Sequence, residues 1–140
     1  MFYIRRYRPK TPKGTMNKTE LEYSQHLQKL KLAGEIEDWA FEPETLKIGG
    51  DCRYTPDFRV IKQELHKQGM EDGSDWHQFG GIVEFHEVKG TIRKKDSDTT
   101  KPYIEDDALV KIKAAAELHP FKFIIIWKGR DGNWQHREIN

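Results

Sequence analysis

The heptapeptide FKFIIIW, Phe121 to Trp127, most limits what this chain can fold into. It is apolar on both alternating sets of positions, rich in β-branched and aromatic residues, and too short for an ordinary helix. A strand of that kind is buried on both faces and therefore lies between layers. The architecture that satisfies it here is a sheet with a helix on each side.

Two segments read as those helices. Asn17 to about Ala33 carries Tyr23, Leu27 and Leu30 on one stripe with Glu20 at its head, Asn17 as a candidate N-cap and Gly34 as the stop. Glu22 lies roughly 200° further round at ~100° per residue and is expected to face water. Asn17 and Glu20 also match a capping box, in which the acid folds back onto the cap, so two readings of Glu20 stand open. Glu105 to about His119 is the second helix. Glu105, Asp106 and Asp107 suit its positive start, Pro120 follows its end, and Ala108, Ile112 and Ala115 or Ala116 form a small packing face.

Strand-like pieces lie between the helices. Short ones follow Trp39, Ala40 and Phe41 and are separated by Gly49-Gly50. Tyr54 to Ile61 comes next. Pro56 cannot donate a ladder hydrogen bond, so it belongs at a strand start or edge, and Asp57 stands at a strand entrance. The stretch GIVEFHEVKG, Gly81 to Gly90, places Val83, Phe85, Glu87 and Lys89 on one face and Ile82, Glu84, His86 and Val88 on the other. An apolar face there runs into a charged pair. Residues 62–80 are polar and glycine-bearing and are expected to form an extended hairpin connection or an insertion. His66 and His77 lie in that segment at no recognisable metal-ligand spacing. The residues after Gly90 read as a loop, and Asp131-Gly132 marks a turn before a last edge strand, Trp134 to Ile139. The order α-β-β-β-α-β predicts an α/β fold with a mixed sheet flanked by helices. The helix between the strands at 82–89 and 121–127 allows that pair to run parallel.

With 140 residues, the chain suits one small domain over residues 17–140, preceded by a basic arm at 1–16. Cys52 is the only cysteine, which excludes an internal disulfide framework and a thiolate-rich zinc site and suits a reducing cytoplasm. The opening MFYIRRYRPK has charge where a secretory signal needs an apolar core, and no apolar run approaches ~18 residues. A cytoplasmic protein with no membrane partner is expected. The net charge of +1 conceals an uneven distribution. Arg5, Arg6, Arg8, Lys10 and Lys13 stand without an acid in the arm, which is either a solubilising tail or a phosphate binder. Arg93, Lys94 and Lys95 form a second basic cluster, and Lys111 and Lys113 lie on the second helix.

Glu20, Asp57 and Glu87 supply three carboxylates, and Lys89 supplies an ammonium. Carboxylate oxygens suit hard cations such as Mg²⁺ or Mn²⁺, which take one or two protein carboxylates and keep several waters. Such a metal polarises a phosphoryl oxygen and lowers the pKa of bound water, and a lysine beside it can orient the nucleophile. These are parts for phosphodiester hydrolysis.

Pro56-Asp57, followed by Glu87-Val88-Lys89 and preceded by Glu20 on a helix, resembles the PD-(D/E)XK nuclease superfamily over residues 17 to about 128. The wording TPDF, then EVKG, then a lysine-bearing helix and an apolar strand is similar to phage-type endonucleases, including Holliday-junction resolvases. The resemblance implies a restriction-endonuclease-like core and a metal-dependent DNA endonuclease, structure-specific for branched DNA, acting in phage recombination or processing in the host cytoplasm. It makes Asp57 the metal-bridging carboxylate, Glu87 the second ligand and Val88 a backbone-carbonyl ligand. Lys89 would orient the attacking water, and Glu20 would hold a metal-bound water or a second metal. Mg²⁺ is the implied cofactor, with Mn²⁺ as a substitute. Arg5, Arg6, Arg8, Lys10, Lys13, Arg93, Lys94, Lys95 and Lys111 would contact nucleic acid. A homodimer is the implied assembly, although no heptad seam is visible. The competing reading is a catalytically silent DNA-binding module on the same scaffold, and the intact Asp57, Glu87 and Lys89 weigh against it.

Overall fold

A computed structural model describes residues 14–67, 76–93 and 100–140. The arm residues Arg5, Arg6, Arg8, Lys10 and Lys13, and Lys94 and Lys95, lie outside the described residues. The elements run in the order α1 (Lys18–Leu32), β1 (Asp38–Phe41), β2 (Leu46–Gly49), β3 (Cys52–Tyr54), β4 (Phe58–Lys67), β5 (Trp76–Lys89), β6 (Thr91–Arg93), β7 (Thr100–Pro102), α2 (Asp106–Leu118), β8 (Lys122–Lys128) and β9 (Trp134–Ile139).

Helix α1 starts as its sequence predicts. The Asn17 side chain accepts the Glu20 N–H at 2.8 Å, and the Glu20 carboxylate accepts the Asn17 N–H at 2.8 Å. Two orphan backbone donors at the helix start are thereby satisfied. The helix gives way to Gly34, whose φ of +78° lies in the left-handed region that glycine adopts without strain.

The fold is α/β. Its main sheet is mixed, with strand order β1-β4-β5-β8-β9. Among the described strands only β5 and β8 pair in parallel, and α2 lies in the crossover that a parallel pair requires. The alternation of β8 divides the core. Ile124 and Ile126 pack with Tyr23 and Leu27 of α1 and with Phe58, Val60 and Val88. Phe123 and Ile125 pack with Ile112 and Ala115 of α2 and with Phe85. The run Phe121 to Trp127 thus yields a strand covered on both faces, with four consecutive buried residues.

Three expectations are corrected. The segment Tyr54 to Ile61 is two strands, because Pro56 has no N–H to carry a ladder through; β3 pairs with β2 in a separate hairpin and β4 begins afresh at Phe58. Residues 62–67 and 76–80 are strand, continuing the β4–β5 pairing and setting the backbones of His66 and His77 opposite each other. β1 flanks β4 only as far as Ile61 and β8 flanks β5 only from Glu84, so no other described strand lies beside this ribbon and it needs no apolar pattern. Its register shifts by one residue next to Gly81, where a Cβ would come within 2.5 Å of the Ile61 side chain. The stretch after Gly90, expected as a loop, contains the short antiparallel pair β6 and β7. Among the described residues, no helix is long and apolar enough to cross a membrane.

A buried polar chain ties α1 to the sheet. Tyr23 Oη lies 2.6 Å from His86 Nδ1, and His86 Nε2 lies 3.0 Å from Glu84 Oε1. Burial pushes the Glu84 carboxyl up, but hydrogen bonds from His86 and Lys62 outweigh it and hold it down at about 2. The ionised Glu84 can only accept, so His86 donates through Nε2 and accepts the Tyr23 hydroxyl at Nδ1. Burial holds His86 below its ordinary pKa against the pull of Glu84, which suits this neutral tautomer.

Tyr23→Phe keeps the ring and removes the hydroxyl that reaches Nδ1. It is expected to lower unfolding stability by about 1–3 kcal/mol in urea titration, the cost of an unsatisfied buried acceptor. A decrease under about 0.5 kcal/mol would contradict this role.

Candidate functional site

The Phe58–His86 pairing, continued one step at a time, sets Asp57 opposite Glu87 and Pro56 opposite Val88. β4 begins only at Phe58, so Val88 lies beyond the last ladder pair, and Pro56, with no N–H, has no donor to offer the Val88 carbonyl. The Val88 N–H donates instead to Asp57 Oδ2 at 2.8 Å. In an extended strand a residue's N–H and C=O point to the same edge, so the Val88 carbonyl is turned toward Asp57 as well. Two acids thirty positions apart in sequence become neighbours at the place where β4 begins.

Glu87 is held by Tyr54, by Lys89 and by the Asp57 backbone N–H. The Tyr54 hydroxyl donates to its Oε2 at 2.5 Å, and Lys89 Nζ lies 3.4 Å from its Oε1. Strand alternation explains the second contact, since Glu87 and Lys89 leave β5 on the same face. That face begins with Val83 and Phe85, which pack into the α2-side core, so the charged pair emerges at the edge of an apolar layer.

Burial sets the electrostatics. Asp57 is 9% exposed, and the Glu87 side chain is 12% exposed. Burial, followed by the negative charge of Glu87, pushes the Asp57 carboxyl up to about 8 against the Val88 N–H bond and the Lys89 ammonium. Burial also raises Glu87 against the pull of Lys89 and Tyr54. The Tyr54 hydroxyl is raised by burial and by the carboxylate it serves, and so remains a donor. Two buried acids facing one ammonium keep a proton between them at neutral pH unless further positive charge arrives.

Glu20 stands within electrostatic range of Glu42, Glu87 and Lys89, and it also acts on Asp57. Its carboxylate is engaged with the Asn17 N–H, so the capping contact is present in the fold. Burial raises its pKa, and the Asn17 bond opposes the rise. Glu42 is positioned by its backbone: its N–H donates to the Asp57 carbonyl at 2.8 Å, and its φ of +44° is left-handed, an uncommon conformation for a residue with a side chain.

Lys111 of α2 shares a shallow depression of about 260 Å³ with Glu87, Tyr54 and Arg53. Lys113 is exposed on α2, and Arg93 ends β6. A larger cavity of about 340 Å³ lies under α1 on the opposite face, lined by Tyr23, Glu84 and His86 and by none of Glu20, Asp57, Glu87 and Lys89. Perturbed groups line that cavity too, but Tyr23, His86 and Glu84 are bonded to one another there, whereas Asp57 and Glu87 are both raised around a single ammonium.

Tyr54, Glu42 and Arg53 were not legible as site residues in the sequence. Tyr54 reaches Glu87 across 33 positions through the β2–β3 hairpin, and Glu42 reaches Asp57 through a backbone turn. Only Tyr54 left a trace, as the aromatic residue just before the Thr-Pro-Asp stretch.

Among the described residues, no three His, Cys, Asp or Glu side chains form a group able to hold a metal ion. Asp57 and Glu87 form a pair, and the Val88 N–H is bonded to Asp57 with its carbonyl on the same strand edge. That all-oxygen set, two carboxylates and one carbonyl, fits a hard divalent cation that keeps most of its waters, and does not fit zinc or copper. Comparison with models of protein families, with curated proteins and with solved structures gave no match.

The raised Asp57 pKa has a stability consequence. Between the ordinary 3.8 and about 8, the metal-free folded chain keeps a proton that the unfolded chain has released. Its contribution to stability is therefore full at low pH and declines as pH rises through that window. Asp57→Asn retains an oxygen for the Val88 N–H and abolishes the titration. In EDTA, the melting temperature of Asp57→Asn is expected to gain on the wild type as pH rises from about 4 to about 8, then hold level. A difference independent of pH would contradict the assignment.

Proposed function

We propose that this chain is a metal-dependent endodeoxyribonuclease of the PD-(D/E)XK type. The observation that carries the reading is the buried Asp57–Glu87 pair, with Lys89 beside it and the Val88 carbonyl at the same ladder end. The order α1, β1, β4, β5, α2, β8, counted along the main sheet, agrees with the α-β-β-β-α-β order of a restriction-endonuclease-like core. Branched DNA is the proposed substrate and Mg²⁺ the proposed cofactor, with Mn²⁺ able to replace it.

Asp57, Glu87 and the Val88 carbonyl would hold the cation, which when bound supplies Lewis-acid polarisation of the phosphoryl group and stabilises the leaving alkoxide. The protein's own groups do the rest. The Val88 N–H engages one Asp57 oxygen, Oδ2, and the other would serve the cation. Tyr54 orients Glu87 from the far side, as a hydrogen-bonded partner orients a ligating carboxylate. Lys89 Nζ, at the open edge of the pair, orients the attacking water and offsets charge that develops on the phosphoryl oxygens. Arg53 and Lys111 line the same depression as Glu87, together with Glu105 and Asp107, and would be the cations there that meet the strand's phosphates, which carry no sequence information. Glu20 and Glu42 add negative charge to the neighbourhood and favour cation binding.

A panel of four-way junction, flap, single-stranded and linear duplex DNA tests the proposal. In Mg²⁺ the wild type is expected to cut at least one of these, and EDTA to abolish cutting. Asp57→Ala and Lys89→Ala should bind the same DNA and cut it about 100-fold or more slowly. Cleavage by both variants at the wild-type rate would contradict the site, and binding of every substrate without cleavage would favour the silent DNA-binding module.

A further inference from the structure

Lys89 has two neighbourhoods. On one side is Glu87, and on the other is a depression of about 160 Å³ that Lys89 shares with Lys128, Arg130, Thr19 and Thr91. This hollow is separate from the depression that holds Lys111, and among the described residues no member of the sequence motif other than Lys89 borders it. It opens beyond the carboxyl ends of β5 and β8, a parallel pair of the main sheet. Ligands of open α/β sheets bind outside such strand ends.

We infer that this hollow is a phosphate subsite, which takes the backbone phosphate next to the one held between Asp57, Glu87 and Lys89. The inference rests on the nuclease reading and deepens it: the substrate is a strand with successive phosphates, gripped on both sides of the reacting bond. The chemistry of the lining supports an anion. Among the described residues, three cations and two hydroxyl groups surround the hollow, against a single acid, Glu22. Lys128 Nζ contacts the Glu22 carboxylate at 2.8 Å and lies 5.7 Å from the centre of the Trp134 ring, so the ammonium is held at the rim by groups other than the ligand. The Lys128 and Glu22 side chains are 44% and 35% exposed. An ion pair so exposed contributes little to stability, and an arriving phosphate can share or displace the carboxylate. Thr19 and Thr91 provide neutral donors, which suit phosphate oxygens without adding charge.

The spatial sequence is then the depression in which Arg53 and Lys111 stand among Glu87, Glu105 and Asp107, the acid pair, Lys89, and the basic hollow. A mononucleotide would use only part of this track. A polynucleotide uses all of it, with Lys89 between the reacting phosphate and its neighbour.

Two measurements on the full chain in EDTA, where cutting is arrested, test the subsite. In the first, inorganic phosphate is titrated against ¹⁵N-labelled protein, with Lys128→Gln/Arg130→Gln as the control. Shifts of the Gly90, Thr91 and Gly129 amides in the wild type, abolished in the double variant while the rest of the spectrum is retained, support an anion site. Absence of these shifts in the wild type overturns it, whether or not the chain cuts DNA. In the second, DNA affinity is measured against salt. The double variant should bind about tenfold or more weakly, and its log–log salt slope should become shallower by about one for each phosphate it no longer neutralises. One phosphate beside the cleavage point should become dispensable when replaced by methylphosphonate in the variant but not in the wild type. An unchanged slope together with equal sensitivity to methylphosphonate at every position overturns the subsite as part of the DNA path. Failure of the nuclease reading would show itself differently, as absent cleavage in Mg²⁺ with the phosphate shifts intact.

Discussion

The hydrogen bond from the Val88 N–H to the Asp57 carboxylate decides where everything else in the site stands. It exists because the β4–β5 ladder ends at Phe58 and His86: Val88 lies beyond the last pair, its N–H takes the Asp57 side chain, and Pro56, lacking an N–H, leaves the Val88 carbonyl without a ladder donor. A side chain takes over the role of the missing strand. The acid that does so is thereby buried next to Glu87, and the crowding of like charges in a poorly solvated place follows from a backbone requirement.

The two faces of β5 carry opposite solutions to the problem of buried charge. On the α1 face, Glu84 is compensated fully by His86 and Lys62, and its carboxyl is held at about 2. On the α2 face, Asp57 and Glu87 share one lysine and one tyrosine, and both are pushed upward. Alternation along one strand sets these networks back to back. The satisfied one fastens α1, which carries Glu20, to the sheet; the unsatisfied one retains an affinity for added positive charge. The anchoring network and the proposed reactive one thus reside in adjacent residues of the same strand.

Much of this was legible in sequence wherever local rules act. The capping residues of α1, the acidic start of α2, the doubly buried β8 and the edge strand β9 follow from periodicity and from helix-end chemistry. The alternation within GIVEFHEVKG correctly separated Glu87 and Lys89 from Glu84 and His86. What stayed hidden depends on long-range pairing. The polar ribbon of residues 62–67 and 76–80 is held by its ladder hydrogen bonds, so its sequence carries no strand pattern. Tyr54 and Glu42 reach the acids through a separate hairpin and a left-handed turn, and neither relation leaves a spacing in the chain. The partners of Glu84 and His86 come from α1 and β4, which is why that face could not be interpreted from β5 alone.

A buried Asp57–Glu87 pair short of positive charge is, on this view, a receptor for a hard divalent cation. Anomalous diffraction from crystals soaked in Mn²⁺ puts that to the test. A peak is expected between the Asp57 and Glu87 carboxylates and the Val88 carbonyl, and it should vanish in Asp57→Asn. Wild-type crystals with no peak between these oxygens, and with the Val88 and Tyr54 hydrogen bonds intact, would contradict it.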